Sequence, residues 1–313
     1  MIQLFHLERD IPFMRWARST IFFSVAFILA SIALLAIKGL NLGVDFTGGT
    51  VIEVGYPRAA DIPAIRAHLG SHGHADAAVI NFGSSSEVLI RLPANAGVTS
   101  AQLSEQVLEV LRQQEARVEL RRVEFVGPQV GRELFEDGAL ALLVVSLGIV
   151  LYLAMRFEWR FALGAIFATA HDIFIVLGIW SLFQWEFSLT VLAAILAVLG
   201  YSVNDTVVVF DRIRENFRKT RLTDVAAIMD NAKTATLART IITSGTTLLV
   251  VLAILFLGGE VLWGFAMALA IGIVVGTYSS VLVASPVVMW LGVSREDFIK
   301  PKEEAPRGDG AQV

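Results

Sequence analysis

Six long apolar segments constrain the fold of this chain more than any other feature of its sequence. They cover residues 19–37, 138–155, 161–183, 187–210, 239–257 and 261–291. Each is about as long as the roughly 18–20 residues that an α-helix needs to cross a bilayer. With 55% hydrophobic residues overall, the chain is predicted to be a polytopic α-helical membrane protein. The sixth segment is longer than a bilayer requires, so it is predicted to tilt or to begin as an interfacial turn around Trp263.

The region between the first two spans, residues 38–137, is soluble in character. It is predicted to form strand, helix, strand, strand, helix and strand at residues 50–56, 60–71, 78–82, 87–92, 100–114 and 118–126. The segment from Asn81 to Glu87 is typical of a hairpin turn. The order βαββαβ predicts an α+β ferredoxin-like domain. That fold serves many functions, so it identifies none by itself.

Basic residues predict the orientation of the spans. Two arginines lie in residues 156–160, six basic residues lie in residues 211–238 and four follow residue 291, whereas the turns at 184–186 and 258–260 have none. Cytoplasmic loops are enriched in lysine and arginine. We therefore predict that the N-terminus (1–18), the basic loop (211–238) and the tail (292–313) are cytoplasmic and that the domain at 38–137 lies outside. The end of the tail, residues 300–313, is predicted to be disordered.

Composition and missing motifs exclude several classes of function. The net charge of −4 gives no basis for nucleic-acid binding. The sequence has no cysteine, which excludes thiol catalysis and cysteine metal sites. It also lacks the motifs of nucleotide loops, zinc proteases and serine hydrolases. We therefore predict no enzyme, no metal and no cofactor, and favour proton or ion movement that is coupled to a conformational change.

The fourth span carries an acid, Asp205, within its apolar run. An ionisable side chain at the centre of a span costs roughly 2.5–3.5 kcal/mol on insertion scales, so such residues are commonly functional and paired. Arg239 lies in the same half of the bilayer on the next span. The sequence therefore predicts an Asp205–Arg239 pair that responds to protonation. Two alternatives are a purely architectural ion pair and a simple polar contact of Asp205 between helices.

Other polar residues inside the spans extend this candidate proton pathway. His171 and Asp172 fall at the middle of the third span, and a histidine titrates near physiological pH. Because adjacent helical residues point about 100° apart, these two side chains need not touch. His171 has no second histidine or cysteine at ligand spacing, which argues against a metal site. Hydroxyl groups that favour a hydrated relay follow Arg239, at Thr240, Thr243 and Ser244.

Seven motifs, in order along the chain, together carry a resemblance to one family. They are LGVDFTGGT (42–50), FVGPQVGREL (125–134), RFEWR (156–160), AHD (170–172), GYSVNDTVVVFDRIRENFRK (200–219), RTIITSGTTL (239–248) and VGTYSS (275–280). Over nearly its whole length the chain resembles the SecF family, the smaller partners of SecD in the bacterial Sec export machinery.

The resemblance implies a fold, partners and an activity. SecF proteins form one half of an RND-superfamily transporter, with six spans and a ferredoxin-like periplasmic domain in the bacterial inner membrane. They associate with SecD, with YajC and with the SecYEG channel. They use the proton-motive force to help complete the translocation of preproteins, after the SecA ATPase has driven the early steps. The resemblance implies no covalent chemistry.

The resemblance also implies site residues. The family's proton-pathway acid falls on Asp205, which Asn204 precedes, and its intramembrane arginine falls on Arg239. The first motif begins the periplasmic domain and contributes Gly43, Asp45, Gly48 and Gly49. Its glycines are also typical of an ordinary turn that leads into a strand. Many relatives carry an acid near Trp263, where this chain has only Glu260 close by.

Two other functions are compatible with the residues. The first is an RND-type half-transporter for a small molecule or lipid, which predicts an apolar ligand pocket in or beside the external domain. The second is a passive scaffold of the export machinery. In a scaffold, Asp205 and Arg239 contribute to stability alone.

Overall fold

The computed structural model describes residues 9–82, 84–93, 99–219 and 224–298. The predicted disorder at residues 300–313 falls outside the described residues, as do the side chain of Glu260 and Gly83 in the predicted hairpin.

Within these residues the chain forms a helical bundle and one sheet domain (residues 49–126). The long helices are α1 (Ala17–Lys38), α5 (Pro128–Arg156), α6 (Trp159–Phe183), α7 (Leu189–Lys219), α8 (Val225–Leu257) and α9 (Gly259–Leu282), which the short α10 (Ala284–Trp290) continues. Six helical segments of the described chain, the last formed by α9 and α10 together, are long and apolar enough to cross a membrane. This confirms the predicted polytopic helical membrane protein. Single 3-10 turns at Phe13–Trp16 and Arg295–Phe298 flank the bundle.

The helices divide into an inner and an outer set. About half of the most apolar stretch is buried in α6 (50%), α7 (50%) and the α9–α10 segment (56%), against 17% in α1, 11% in α5 and 17% in α8. Many exposed side chains of the outer set are large and apolar, among them Phe22, Leu151 and Leu249. Lipid solvates such side chains, so this distribution is what a membrane bundle requires. The inner helices are therefore where a polar side chain must find a partner within the protein.

The helices extend beyond the predicted spans. α5 begins at Pro128 instead of residue 138, and the predicted basic loop at 211–238 is largely helical, because α7 continues to Lys219 and α8 begins at Val225. Hydropathy predicts where a span leaves the membrane, whereas the helix itself can extend further if ion pairs and capping side chains stabilise its polar part. Here Glu215 pairs with Lys219 one turn later, and the Asp224 side chain caps α8.

The predicted single sixth span is interrupted by a break at Val283. Pro286 has no backbone N–H, so the carbonyl of Leu282, four residues earlier, loses its helical donor. Thr20 Oγ1 on α1 donates a hydrogen bond to that carbonyl at 3.0 Å. α9 is helical through Trp263, so the predicted interfacial turn is not formed there, whereas the predicted tilt of the span stays a prediction.

The described residues of the sheet domain form four strands and two helices: β2 (Gly49–Gly55), α3 (Ile62–Ser71), β3 (Ala78–Phe82), β4 (Ser84–Pro93), α4 (Ser100–Gln114) and β5 (Glu119–Val126). The strands are antiparallel in the order β3–β4–β2–β5. Alternate residues, such as Ile52, Val54 and Ile90, pack against α3 and α4 in one buried core. In the predicted hairpin Phe82 pairs with Ser84, and the register of β3 and β4 shifts between Asn81 and Phe82.

A short stretch connects the sheet domain to the bundle. After α1 come β1 (Asn41–Leu42) and a single helical turn, α2 (Val44–Thr47). β1 pairs in parallel with β6 (Glu186–Phe187), which lies in the turn between α6 and α7. The segment that leads into the sheet domain is thus hydrogen-bonded to the turn that immediately precedes α7.

Candidate functional site

Asp205 is buried where α7, α8 and α9 meet, and hydroxyl groups hold its carboxylate. The residue is 7% exposed. Thr240 on α8 donates its hydroxyl to Oδ1 at 2.8 Å, and Ser280 on α9 donates its hydroxyl to Oδ2 at 2.5 Å. Each carboxylate oxygen is therefore bonded to a different helix. Because a hydroxyl group can donate or accept, the same two side chains can hold either the carboxylate or the protonated acid.

The predicted pair of Asp205 with Arg239 is not formed. Arg239 is exposed on α8, while the next residue, Thr240, is fully buried against Asp205. Successive residues of an α-helix point about 100° apart. Because Thr240 turns towards Asp205, Arg239 has to turn away. Proximity in sequence located the right helix but selected the wrong one of two adjacent side chains.

Arg239 instead lines a cleft of about 470 Å³ between α7 and α8. The cleft is mixed in charge, and its other lining residues are Val208, Asp211, Arg212, Glu215, Ala235 and Thr236. Thr236 precedes Thr240 by four residues, so the cleft lies about one helical turn from the buried hydrogen bond. A polar cleft therefore approaches the buried acid from the end of the bundle that carries the basic residues.

Asp172 on α6 is a second buried carboxylate, only 1% exposed. One oxygen is 2.8 Å from His171 Nδ1, and the other accepts hydrogen bonds from Ser202 at 2.5 Å and from Ser279 at 2.8 Å. The two adjacent side chains, which sequence reasoning left free to diverge, therefore touch. His171 is fully buried, and its Nε2 has no hydrogen-bond partner among the described residues.

Adjacent serines on α9 connect the two acids. Ser279 donates to Asp172 and Ser280 donates to Asp205. The two serines point in different directions on one helix, so α9 lies between an acid of α6 and an acid of α7. Sequence analysis did not select either serine. The signal was present in VGTYSS, where two hydroxyl side chains interrupt an otherwise apolar span.

The other predicted polar residues divide between the interior and the surface. Ser244 is buried, and its hydroxyl lies 2.8 Å from the hydroxyls of Tyr201 and Thr277. Thr243 is exposed and donates to a carbonyl of its own helix, that of Arg239. Asn204 is also exposed. The structure thus brings Thr240 and Ser244 into the polar interior and leaves Asn204 and Thr243 on the bundle surface.

The first sequence motif lies where the sheet domain meets the bundle. Asp45 accepts a hydrogen bond from the backbone N–H of Leu189, the first residue of α7, at 2.9 Å. Gly43 donates its backbone N–H to the carbonyl of Phe187 at 2.9 Å. Two positions with positive φ follow, Gly48 (72°) and Gly49 (151°), which fits the predicted turn into a strand. The motif therefore holds the N-terminal end of α7 against the segment that leads into the sheet domain.

Comparison with known families matches two parts of the chain. Residues 106–294 match the family described as protein export membrane protein SecD/SecF, C-terminal, and residues 33–56 match the SecD/SecF GG motif. Protein translocase subunit SecF of Vibrio alginolyticus is 52% identical over 305 residues, which are 97% of each chain. Protein translocase subunit SecF of Escherichia coli O157:H7 is 44% identical over 313 residues, covering 99% of this chain and 97% of the relative.

Two crystal structures are also similar. SecDF from Thermus thermophilus, described as a translocon-associated membrane protein, matches with a TM-score of 0.82 at 38% identity. A structure of SecDF in a super-membrane-facing form matches with a TM-score of 0.70 at 37% identity. Each match covers 92% of this chain but 39% and 40% of the respective SecDF chain. This chain therefore spans about two fifths of the length of SecDF.

Proposed function

The chain belongs to the SecD/SecF family of protein export membrane proteins, and from this membership we propose that it acts as the SecF-type subunit of a SecD–SecF complex in the bacterial inner membrane. In this proposal it uses the proton-motive force to assist late steps of preprotein translocation through SecYEG. SecA drives the earlier steps, and YajC is a further partner. The chain itself carries out no covalent chemistry.

The observation that carries the proposal is the position of Asp205 between three helices. Its two oxygens are bonded to Thr240 of α8 and Ser280 of α9, and the residue itself belongs to α7. A change of charge on this acid alters the strength of both hydrogen bonds, because bonds to ionised groups are roughly twice as strong as neutral ones. Proton binding at Asp205 therefore changes how firmly α8 and α9 are held against α7.

We propose that Asp172 and His171 form a second protonation site of the same pathway. Asp172 and Asp205 are both hydrogen-bonded to α9, through Ser279 and Ser280 respectively. His171 Nε2 is buried and has no hydrogen-bond partner among the described residues, so it offers a position for a water molecule of the pathway. In the pathway, Thr240 and Ser244 are interior hydroxyls, and Arg239 lies at the cleft that leads towards Asp205.

SecD is the partner that best suits the exposed face of α8. Arg239, Thr243 and Thr246 lie on that face at intervals of four and three residues and are all exposed. Exposing a cation to lipid on the surface of a span costs free energy. A second membrane protein that contacts this face would remove that cost. SecDF relatives carry about three fifths of their chain beyond the part that matches this one. We propose that the corresponding SecD subunit covers this face.

The sheet domain is proposed to be ferredoxin-like and periplasmic, with both chain termini in the cytoplasm. Its βαββαβ order and its β3–β4–β2–β5 sheet fit that fold. The distribution of basic residues supports the orientation. In the proposal this domain handles preprotein that emerges from SecYEG, and it moves with the bundle.

Export into inverted membrane vesicles tests the function. Vesicles prepared with and without this chain, each containing SecD and SecYEG, are compared with the proton gradient intact and after an ionophore collapses it. We expect the chain to raise export only where the gradient is intact. Equal export in vesicles with and without the chain would reject the proposal. Saturable binding of a small molecule by the purified chain would favour the half-transporter instead.

The cleft in the sheet domain does not favour the half-transporter. It has a volume of about 460 Å³, and three arginines and a glutamate are among its lining residues: Arg112, Arg117, Arg121 and Glu119. Small-molecule sites are mostly apolar with few polar groups.

A further inference from the structure

The turn between α6 and α7, residues 184–188, is anchored firmly in the bundle. Trp185 stacks on Phe183 with ring centres 4.8 Å apart and meets Trp180 and Trp263 edge-on at 5.2 and 5.0 Å. Trp263 belongs to α9, so the turn is tied to a third helix as well as to the two that it joins. Any movement of the ends of α6, α7 and α9 nearest the sheet domain therefore moves this turn.

A side chain of the sheet domain reaches the same turn. Arg91 on β4 forms an ion pair with Glu186, and both side chains are about three-quarters buried, at 25% and 22% exposure. Its neighbours Ile90 and Leu92 point into the core beneath α3 and α4. Because successive side chains of a strand point to opposite faces, the Arg91 side chain lies on the other face of the sheet. Burial lowers the pKa of the Arg91 guanidinium, while the nearby Asp45 carboxylate opposes that change. The cation thus pairs with one acid and lies near a second.

The backbone around Gly43 is shaped to admit Glu186. A Cβ atom at Gly43 would lie 2.5 Å from Glu186 Oε1, so a larger residue at this position would displace the Glu186 carboxylate. Asp45 holds the first N–H of α7. From Leu189 to Asp205, α7 is one unbroken helix of about 24 Å, at 1.5 Å per residue. A continuous series of contacts therefore runs from β4 through Glu186 and Asp45 to α7 and the buried acid.

We propose that Arg91 and Glu186 are positioning residues which, with Asp45, clamp the sheet domain to α7, so that a movement of α7 at Asp205 is transmitted to the domain. This inference rests on the proposed function. It assigns a role to a contact between the sheet domain and the bundle, apart from the hydroxyl network around the acids. The clamp stays closed throughout the cycle and acts as a linkage.

Charge exchange across the pair tests the clamp. The single variants Arg91→Glu and Glu186→Arg place like charges together, and the double variant R91E/E186R restores an ion pair with reversed polarity. The double variant E119R/R121E is the matched control, because it exchanges a pair on β5 of the same sheet whose side chains are 67% and 54% exposed. Gradient-driven and gradient-independent export are measured separately, and co-purification of SecD checks assembly.

We expect each single variant to reduce gradient-driven export about tenfold, equivalent to about 1.4 kcal/mol of coupling. The double variant regains most of the loss, and the control loses nothing. Asp205→Asn is measured beside them as a reference. If that variant keeps its gradient-driven export, the proposed function fails. If it loses export while the single charge variants keep theirs, the clamp alone is rejected.

A distance measurement keeps the inference testable even if export cannot be assayed in a variant. The natural chain has no cysteine, so spin labels can be attached at Ser71→Cys on α3 and Leu257→Cys at the end of α8. We expect one narrow distance distribution in the parent and in R91E/E186R. The milder Glu186→Gln, which keeps the side-chain size, should broaden it. An equally narrow distribution in folded Glu186→Gln would overturn the clamp.

Discussion

Thr240 Oγ1 lies 2.8 Å from Asp205 Oδ1, while Arg239, the residue before it, is exposed on another face of α8. The buried acid is therefore held by neutral hydroxyls and not by the nearest cation in sequence. A neutral donor holds a carboxylate less tightly than an arginine does. These hydroxyls can hold the carboxylate and the protonated acid alike, as the proposed proton pathway requires.

Removing the Thr240 hydroxyl should affect the site directly. Thr240→Val keeps the shape of the side chain but leaves Asp205 Oδ1 without its donor, at a cost of about 1–3 kcal/mol. We expect a lower free energy of unfolding in detergent and a loss of gradient-driven export. Thr243→Val is the matched control, since Thr243 is exposed and bonds only to its own helix. Equal effects of the two substitutions would contradict the assignment.

The two serines of α9 should separate the roles of the two acids. Ser280→Ala removes a donor from Asp205, and Ser279→Ala removes one of three donors from Asp172. We expect Ser280→Ala to reduce gradient-driven export more strongly, because Asp205 keeps only one donor afterwards. Export assays on both variants check this, with membrane abundance as the control. A larger loss in Ser279→Ala would make Asp172 the more important acid.

His171 should tolerate asparagine better than leucine. The amide of His171→Asn can replace Nδ1 as a donor to Asp172, whereas His171→Leu leaves that oxygen unbonded, at a cost of about 1–3 kcal/mol. Unfolding in detergent compares the stabilities of the two proteins. If both substitutions lower the stability equally, the hydrogen bond from His171 Nδ1 to Asp172 does not contribute to it.

Arg239 should matter for assembly more than for the fold of the isolated chain. Because the side chain is exposed, Arg239→Gln is expected to change the unfolding free energy by about 0.5 kcal/mol or less. We expect the same variant to retain less SecD on co-purification from membranes. Arg212→Gln, which alters another arginine of the same cleft, is the control. Undiminished SecD recovery would show that SecD does not depend on Arg239.

Gly49 should be intolerant of a side chain. Its φ of 151° is strained for other residues, and a Cβ atom would lie 2.5 Å from the carbonyl oxygen of Leu92. Gly49→Ala is expected to destabilise the sheet domain by about 1–3 kcal/mol. Gly245→Ala is the matched control, because nothing lies within 4 Å of the position that its Cβ would take. Hydrogen exchange in β2 and β5 measures the difference, and unchanged exchange in Gly49→Ala would contradict it.

Most of the fold follows from periodicity and length in the sequence. Helix α4 and strand β3 lie at the predicted residues, 100–114 and 78–82, because local pattern and tertiary packing agree there. The ends of α5 and α7 could not be predicted from hydropathy, since both helices continue past their apolar segments. The break at Val283 had a visible cause in Pro286, but the length of the apolar segment concealed it.

The candidate site was predictable as a set of helices but not as a set of contacts. Asp205 and Asp172 stand out as acids in apolar spans, and both are buried. Their partners Ser202, Ser279 and Ser280 come from other helices, and which face each helix turns inward is decided by packing across the whole bundle. The same uncertainty explains why Arg239 was paired with Asp205 in place of Thr240.

The most direct test of the central claim is gradient-driven export by Asp205→Asn beside Asp137→Asn. Both substitutions neutralise an acid of a long helix, but Asp137 is exposed on α5 and lies outside the cleft of Arg239. We predict that Asp205→Asn assembles normally with SecD and loses the part of export that collapses with the proton gradient, whereas Asp137→Asn keeps it. Full gradient-driven export by an assembled Asp205→Asn protein would contradict the account and make the buried acid a structural contact.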